Sequence, residues 1–123
     1  GLTDRVKFLG QRSDVNRLYQ AFDAFVLPSL YEGLGLVGVE AQVSGLSCLL
    51  SDAITREVDV TGECKFLPID SPVVWAAEIC SLSKKSDEGR ESTSPGSFAN
   101  YDIDQQADWL LRRYLQLING DRN

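Results

Sequence analysis

Two short apolar runs, Ala24 to Leu27 (AFVL) and Ser47 to Leu50 (SCLL), do most to limit what this chain can fold into. Both are continuous rather than alternating, and both are too short for a helix. Pro28 stops the first and Gly45 stands just ahead of the second. Such runs suit strands of a parallel sheet buried on both faces. Between them, Leu36 to Val43 predicts a helix that ends near Gly45, a residue suited to a left-handed C-terminal cap.

The same alternation extends in both directions. Val6 to Leu9 (VKFL), closed by Gly10, predicts a strand and turn. Ser13 is a candidate N-cap for a helix in which Val15, Leu18, Tyr19 and Phe22 repeat at amphipathic spacing. Lys65 to Leu67 before Pro68 predicts a further strand. Pro72 opens a helix through Leu82, with Val74, Ala77, Ile79 and Cys80 contributing to its apolar side. Strands alternating with helices over short connections predict βαβ units, so the expected class is α/β: a Rossmann-like parallel sheet with helices on both faces. Residues 1–83 form this part, residues 84–97 read as a polar Ser- and Gly-rich loop or linker, and residues 98–123 as a C-terminal helix. In that helix Ile103, Ala107, Leu110, Leu111, Tyr114 and Leu117 supply the apolar face.

Composition removes several function classes. The net charge of -6 and the scattering of the basic residues argue against a nucleic-acid partner, which needs clustered Lys and Arg. No apolar run approaches the ~20 residues of a membrane span, and no signal-peptide pattern opens the chain, so a soluble cytoplasmic setting is expected. The chain has no histidine, which removes His-based triads, the common zinc sites and the usual general base. Three cysteines form no CxxC pair; Cys48 and Cys80 read as reduced structural thiols, and Cys64 lacks the surroundings of a nucleophile.

The chemistry concentrates in YEGLGLVGVEAQ, Tyr31 to Gln42. In open α/β sheets ligands bind beyond the carboxyl ends of strands, in loops that lead into helices, and Pro28 to Leu36 is such a loop. Gly33 and Gly35 allow unusual backbone angles and a close backbone approach to a ligand. The amides of Gly33, Leu34, Gly35 and Leu36 would be the unpaired donors of a helix N-terminus, suited to phosphate or sugar hydroxyls. Glu32 precedes the turn, and Glu40 lies one turn inside the helix with its side chain leaning back toward the same cleft. Spacing alone leaves a plainer reading open, with Glu32 a favourable acid near a helix dipole and Glu40 a solvated helical residue. Gly38 inside the helix costs ~1 kcal/mol against Ala and suggests close packing.

VKFLG, the amphipathic helix, FDAFVLPSLYEGLGLVGVEAQVSG and a strand ending in SD together resemble the family 4 retaining glycosyltransferases, enzymes of the GT-B fold with two Rossmann-like domains. Their pattern PS-x-x-EG-x-G-x-x-x-x-EA-x-x-x-G is matched by Pro28, Ser29, Glu32, Gly33, Gly35, Glu40, Ala41 and Gly45. The tail NYDIDQQADWLLRRYL is similar to the closing helix of bacterial members that build capsular or exopolysaccharides. The resemblance makes the chain an incomplete C-terminal domain whose ligand is a nucleotide sugar, a UDP-hexose or GDP-mannose. It implies that Glu32 contacts the donor sugar and helps stabilise charge at its anomeric carbon. The Gly33–Leu36 amides would then bind sugar and diphosphate, Glu40 the ribose hydroxyls, and Gly10, Gln11 and Arg12 would lie beside the base. No metal or other cofactor is expected.

The resemblance also implies what lies elsewhere. The domain that takes a saccharide or lipid-linked acceptor, and a basic pair that stabilises the leaving diphosphate, are expected outside this chain, so the fragment alone is expected to be inactive. The parent's place is expected at the inner face of the cell membrane, peripherally attached. Where the family often has Gly-x-Pro, this chain has Gly45-Leu46-Ser47, which is expected to loosen the loop before SCLL. A module that binds a nucleotide sugar without turnover, and a purely structural Rossmann-like domain, are the competing readings.

Overall fold

The computed structural model describes residues 2–83, 98 and 100–118. Its centre is a three-stranded parallel sheet in the order β1 (Ala24–Leu27), β2 (Ser47–Ser51), β3 (Lys65–Leu67). Four helices accompany it: α1 (Val15–Ala21), α2 (Leu36–Val43), α3 (Pro72–Ser83) and α4 (Ile103–Ile118), with a 3-10 turn at Arg56–Val58. This is the α/β architecture expected from the alternating pattern, and it matches part of a Rossmann-like domain.

β2 is the organising strand because its two faces serve two separate cores. Cys48 and Leu50 face a cluster with Tyr19, Val39, Ala41, Leu46, Ile54 and Val58, into which Phe25, Leu27, Cys64 and Phe66 also pack. Leu49 faces the other way, onto Leu67, Trp75 and Leu82. The parallel register, with Phe25 beside Cys48, Leu27 beside Leu50 and Leu50 beside Phe66, aligns same-face residues across the sheet. Helix α2 therefore covers one face and α3 the other.

Several expectations are corrected in detail. Val6 to Leu9 is not a strand, and its side chains are exposed, Phe8 at 97%. A strand exists only where a neighbour completes its ladder, and β1, at the edge of the sheet, pairs with β2 alone. Nor is β1 buried on both faces: Val26, on the face it shares with Leu49, remains 36% exposed. The N-cap of α1 is Asp14, not Ser13, and it makes no side-chain capping bond. The Asp14 carboxylate is taken instead by Arg12, whose Nε and Nη2 donate at 2.8 and 2.7 Å. In α3 Trp75 is buried and Leu82 half-buried, while Val74, Ala77, Ile79 and Cys80 are exposed. Apolar residues surround that helix on nearly every side, so size decides the face. The indole fills the space over β2, and its Nε1 donates to the Pro68 carbonyl at 2.8 Å.

The connection from α2 to β2 is firm where looseness was expected. Gly45 takes φ 73°. Its N–H donates to Gln42 O at 2.9 Å while Leu46 N–H reaches back to Ala41 O at 3.0 Å. This is a Schellman closure, with Leu46 buried as its hydrophobic partner, and it ends the helix without a proline.

The C-terminal helix expected over residues 98–123 is seen as α4 at Ile103–Ile118, started by Asp102: Oδ1 accepts the N–H groups of Asp104 at 3.0 Å and Gln105 at 3.2 Å. None of its side chains is buried. The polar segment 84–97 lies outside the described residues.

Candidate ligand-binding loop at the start of helix α2

The chain leaves β1 at Leu27, passes Pro28, and turns at Ser29, whose Oγ donates to Tyr31 O at 3.0 Å. Tyr31 is 84% exposed and Glu32 half-buried. Gly35 is the N-cap of α2, at φ 65° and ψ 45°. Those left-handed angles cost a non-glycine residue about 1–2 kcal/mol. A Cβ there would also touch Val58 Cγ2 at 3.4 Å. Gly35 is thus required twice, by its backbone angles and by the wall of Val58 behind it.

Among the described residues, none of the amides of Gly33, Leu34, Gly35 and Leu36 has an intrachain acceptor. These are the orphan donors of a helix start, at the carboxyl end of a parallel strand, where the helix dipole adds partial positive charge. The Glu32 carboxylate likewise has no hydrogen-bond partner among the described residues and can accept from a ligand. Glu40, on the exposed side of α2, is steadied by the Tyr19 hydroxyl, which lies 3.3 Å from both Glu40 Oε2 and Val37 O. Burial, and then the nearby Glu40 charge, push the Tyr19 hydroxyl above its ordinary pKa, so it stays a neutral donor. The edge-on packing of Tyr19 against Phe25, with centroids 5.9 Å apart, fixes the ring that makes this contact.

The structure therefore gathers Glu32, Gly33, Leu34, Gly35, Leu36 and Glu40 around the start of one helix. Gly10, Gln11 and Arg12 form an exposed turn, with Gly10 at φ 64° and Arg12 engaged by Asp14 rather than by the glycine loop.

Two further features went unread in the sequence. Gln42 is 2% exposed and binds five groups. Its Nε2 donates to Gly38 O and Val58 O at 2.9 and 2.8 Å. Its Oε1 accepts from the N–H groups of Val60 and Thr61 and from the Thr61 hydroxyl at 3.1–3.2 Å. This one amide pins the segment Val58–Thr61 to α2. That segment lines a cleft of about 520 Å³ with Leu34, Glu57, Asp59, Val60, Asn100 and Tyr101, which runs on from the glycine loop through Leu34. A glutamine two positions after Glu40 carries no sequence signal for such a role, because its partners come from a distant turn.

Fold and loop together define an α/β domain whose helix start offers free amides between two carboxylates. The chain belongs to the group 1 glycosyl transferases, whose family model matches residues 1–85. It is 39% identical over 99% of its length to EpsF of Bacillus subtilis (strain 168), a glycosyltransferase by assignment, and spans 33% of that protein. It is 47% identical over 42% of its length to the Escherichia coli UDP-Gal:alpha-D-GlcNAc-diphosphoundecaprenol alpha-1,3-galactosyltransferase, spanning 13% of it. With the lipopolysaccharide core biosynthesis mannosyltransferase LpsB of Rhizobium meliloti (strain 1021) it shares 37% identity over half of its length, spanning 18% of that protein. The chain thus covers a third or less of each of these relatives. No solved structure gives a significant match. Among the described residues, no helix is long and apolar enough to cross a membrane.

Proposed function

We propose that this chain is the donor-binding part of a retaining hexosyltransferase acting in the synthesis of a surface polysaccharide. The observation that carries the reading is the start of α2, where four amides without intrachain acceptors lie between Glu32 and Glu40 in a chain of this family. Amides donate to the diphosphate and to sugar hydroxyls, and carboxylates accept from hydroxyls, so the set matches a nucleoside diphosphate sugar. Glu32 faces the sugar and helps stabilise charge at its anomeric carbon. Glu40, held by Tyr19, accepts from the ribose hydroxyls, and the Gly10–Arg12 turn serves the base. The galactosyltransferase among the relatives names a UDP-linked donor and a diphosphoundecaprenol acceptor, which favours a UDP-hexose and a lipid-linked saccharide here. The proposal assigns no resident metal. Since the chain spans a third of EpsF, we place the acceptor site in the remainder of such a protein, and the chain alone binds donor without transfer.

The test is calorimetric titration of the chain with UDP-glucose, UDP-galactose and GDP-mannose, repeated with the 2′-deoxy form of whichever nucleotide binds. Saturable binding is expected, weakened by Glu40→Gln and by loss of the 2′-hydroxyl, but not further weakened by the two together. No binding of any of these donors, or equal affinity in wild type and Glu40→Gln, overturns the assignment. In a full-length parent, Glu32→Gln is expected to lower the rate of sugar transfer.

A further inference from the structure

The two cysteines nearest the donor-side core are far apart in sequence and adjacent in space. Leu49 stands opposite Lys65 in the parallel register of β2 and β3, with Leu50 opposite Phe66 and Ser51 opposite Leu67. One step back along both strands puts Cys48 opposite Cys64. Neighbouring strands lie about 4.7–4.9 Å apart, inside the range of Cα separations that a disulfide bridges, about 4.4–6.8 Å. The two side chains also share a face. Cys48 alternates with Leu50 and Cys64 with Phe66, and all four meet in the cluster under α2. The nearby Cys48 thiol, and then burial, hold the Cys64 thiol well above its ordinary pKa.

We propose that Cys48 and Cys64 are a redox-modified pair that closes to an intramolecular disulfide when the chain meets an oxidising thiol–disulfide pool. Cys64 is the entry point because it is half-buried, whereas Cys48 is 3% exposed with its thiol donating to Leu46 O at 3.4 Å. Cys64 also lies just before β3, its N–H donating to Asp59 Oδ1 at 3.3 Å rather than to a strand partner. With oxidised glutathione as the co-reactant, the Cys64 thiolate attacks one of its sulfurs, and that S–S bond breaks to release one glutathione thiolate. The Cys48 thiolate then attacks the Cys64 sulfur and releases the second. Two cysteine thiols lose two electrons, the oxidised glutathione gains them, and the two cysteine protons end on the two released glutathione sulfurs. The raised pKa of Cys64 makes the first step slow at neutral pH and faster as pH rises. The bond would tie the start of β2 to the Asp59–Cys64 turn, whose Asp59 and Val60 line the cleft beside Leu34.

The test uses the full chain carrying Cys80→Ser, which removes the exposed thiol on α3. Native protein is incubated with oxidised glutathione at mildly alkaline pH, a reduced sample serving as control, then unfolded in urea with a maleimide present and weighed intact. The expected result is two alkyl groups on the reduced chain, and none on the oxidised one, with two hydrogen masses lost and no glutathione retained. Trypsin cuts after Arg56 and Lys65, placing the two cysteines on separate peptides, so a linked pair appears only without reductant. Persistent glutathione on Cys64, or continued alkylation of both thiols, overturns the proposal. Peptide mapping of the unsubstituted chain gives the same decision if the variant does not fold.

Discussion

Replacing Gly38 by alanine brings helix propensity and packing into direct conflict. In an open helix, alanine would be favoured by ~1 kcal/mol. Here the new Cβ would stand 2.9 Å from Val58 Cγ2 and 3.8 Å from Leu50 Cδ2. Val58 cannot yield easily. It is fully buried, its β-branch restricts rotation, and its carbonyl is held by Gln42 Nε2 at 2.8 Å. Overpacking of this kind costs ~1–3 kcal/mol, so the net expectation for Gly38→Ala is a loss of about 1 kcal/mol despite better helix formation. Val58→Ala alone should cost ~2 kcal/mol through lost burial and a cavity. In the double variant the alanine methyl at 38 fills part of that space, and the two effects should fall short of their sum by ~1–2 kcal/mol. Urea unfolding followed by circular dichroism on the four proteins measures each term. A Gly38→Ala chain more stable than wild type, or a cycle with coupling near zero, would refute the packing argument.

Three other outcomes are expected. Gln42→Ala should lower stability by about 3 kcal/mol, because carbonyls and amides around Val58–Thr61 lose their partner, read as a shifted urea midpoint with unchanged slope; a loss below ~1 kcal/mol would show that the segment is held by other contacts. Tyr19→Phe should weaken nucleotide binding about threefold, the equivalent of ~0.6 kcal/mol for one lost hydrogen bond to Glu40, and calorimetry on the two chains decides it. The N–H of Gln105, then its side chain, hold the Asp102 carboxyl below its ordinary pKa. Such a depressed group stabilises the α4 start fully above its ordinary value and loses that effect as pH falls through the lower folded value. Helicity at 222 nm should accordingly drop in that acidic window, and Asp102→Ala should remove this component of the pH dependence.

Most of the sheet and the core of the candidate site were legible because glycine and proline punctuate them. Pro28, Gly35, Gly45 and Pro68 each mark a real boundary, and Glu32, Gly33 and Gly35 lead into α2, which carries Glu40. Features that depend on partners distant in sequence were not legible. Val6 to Leu9 has strand-forming residues but no ladder to join. The apolar girdle of α3 hid the face chosen by Trp75. The Tyr19–Glu40 contact, the Gln42 network and the Cys48–Cys64 neighbourhood each arise from register or helix packing, which local periodicity does not encode.

The tight closure between α2 and β2 has a consequence for length rather than composition. Only Ser44, Gly45 and Leu46 separate helix from strand, and the Schellman bonds leave no slack to absorb an added or missing residue. Because β2 alternates between two cores, a slip of one position would send Leu49 toward α2 and turn Cys48 and Leu50 toward Trp75. Gly45 is held to glycine by its positive φ and Leu46 to an apolar residue by its burial, and insertions or deletions are tolerated even less. The distance along the chain from α2 to the central strand is therefore a fixed property of the domain.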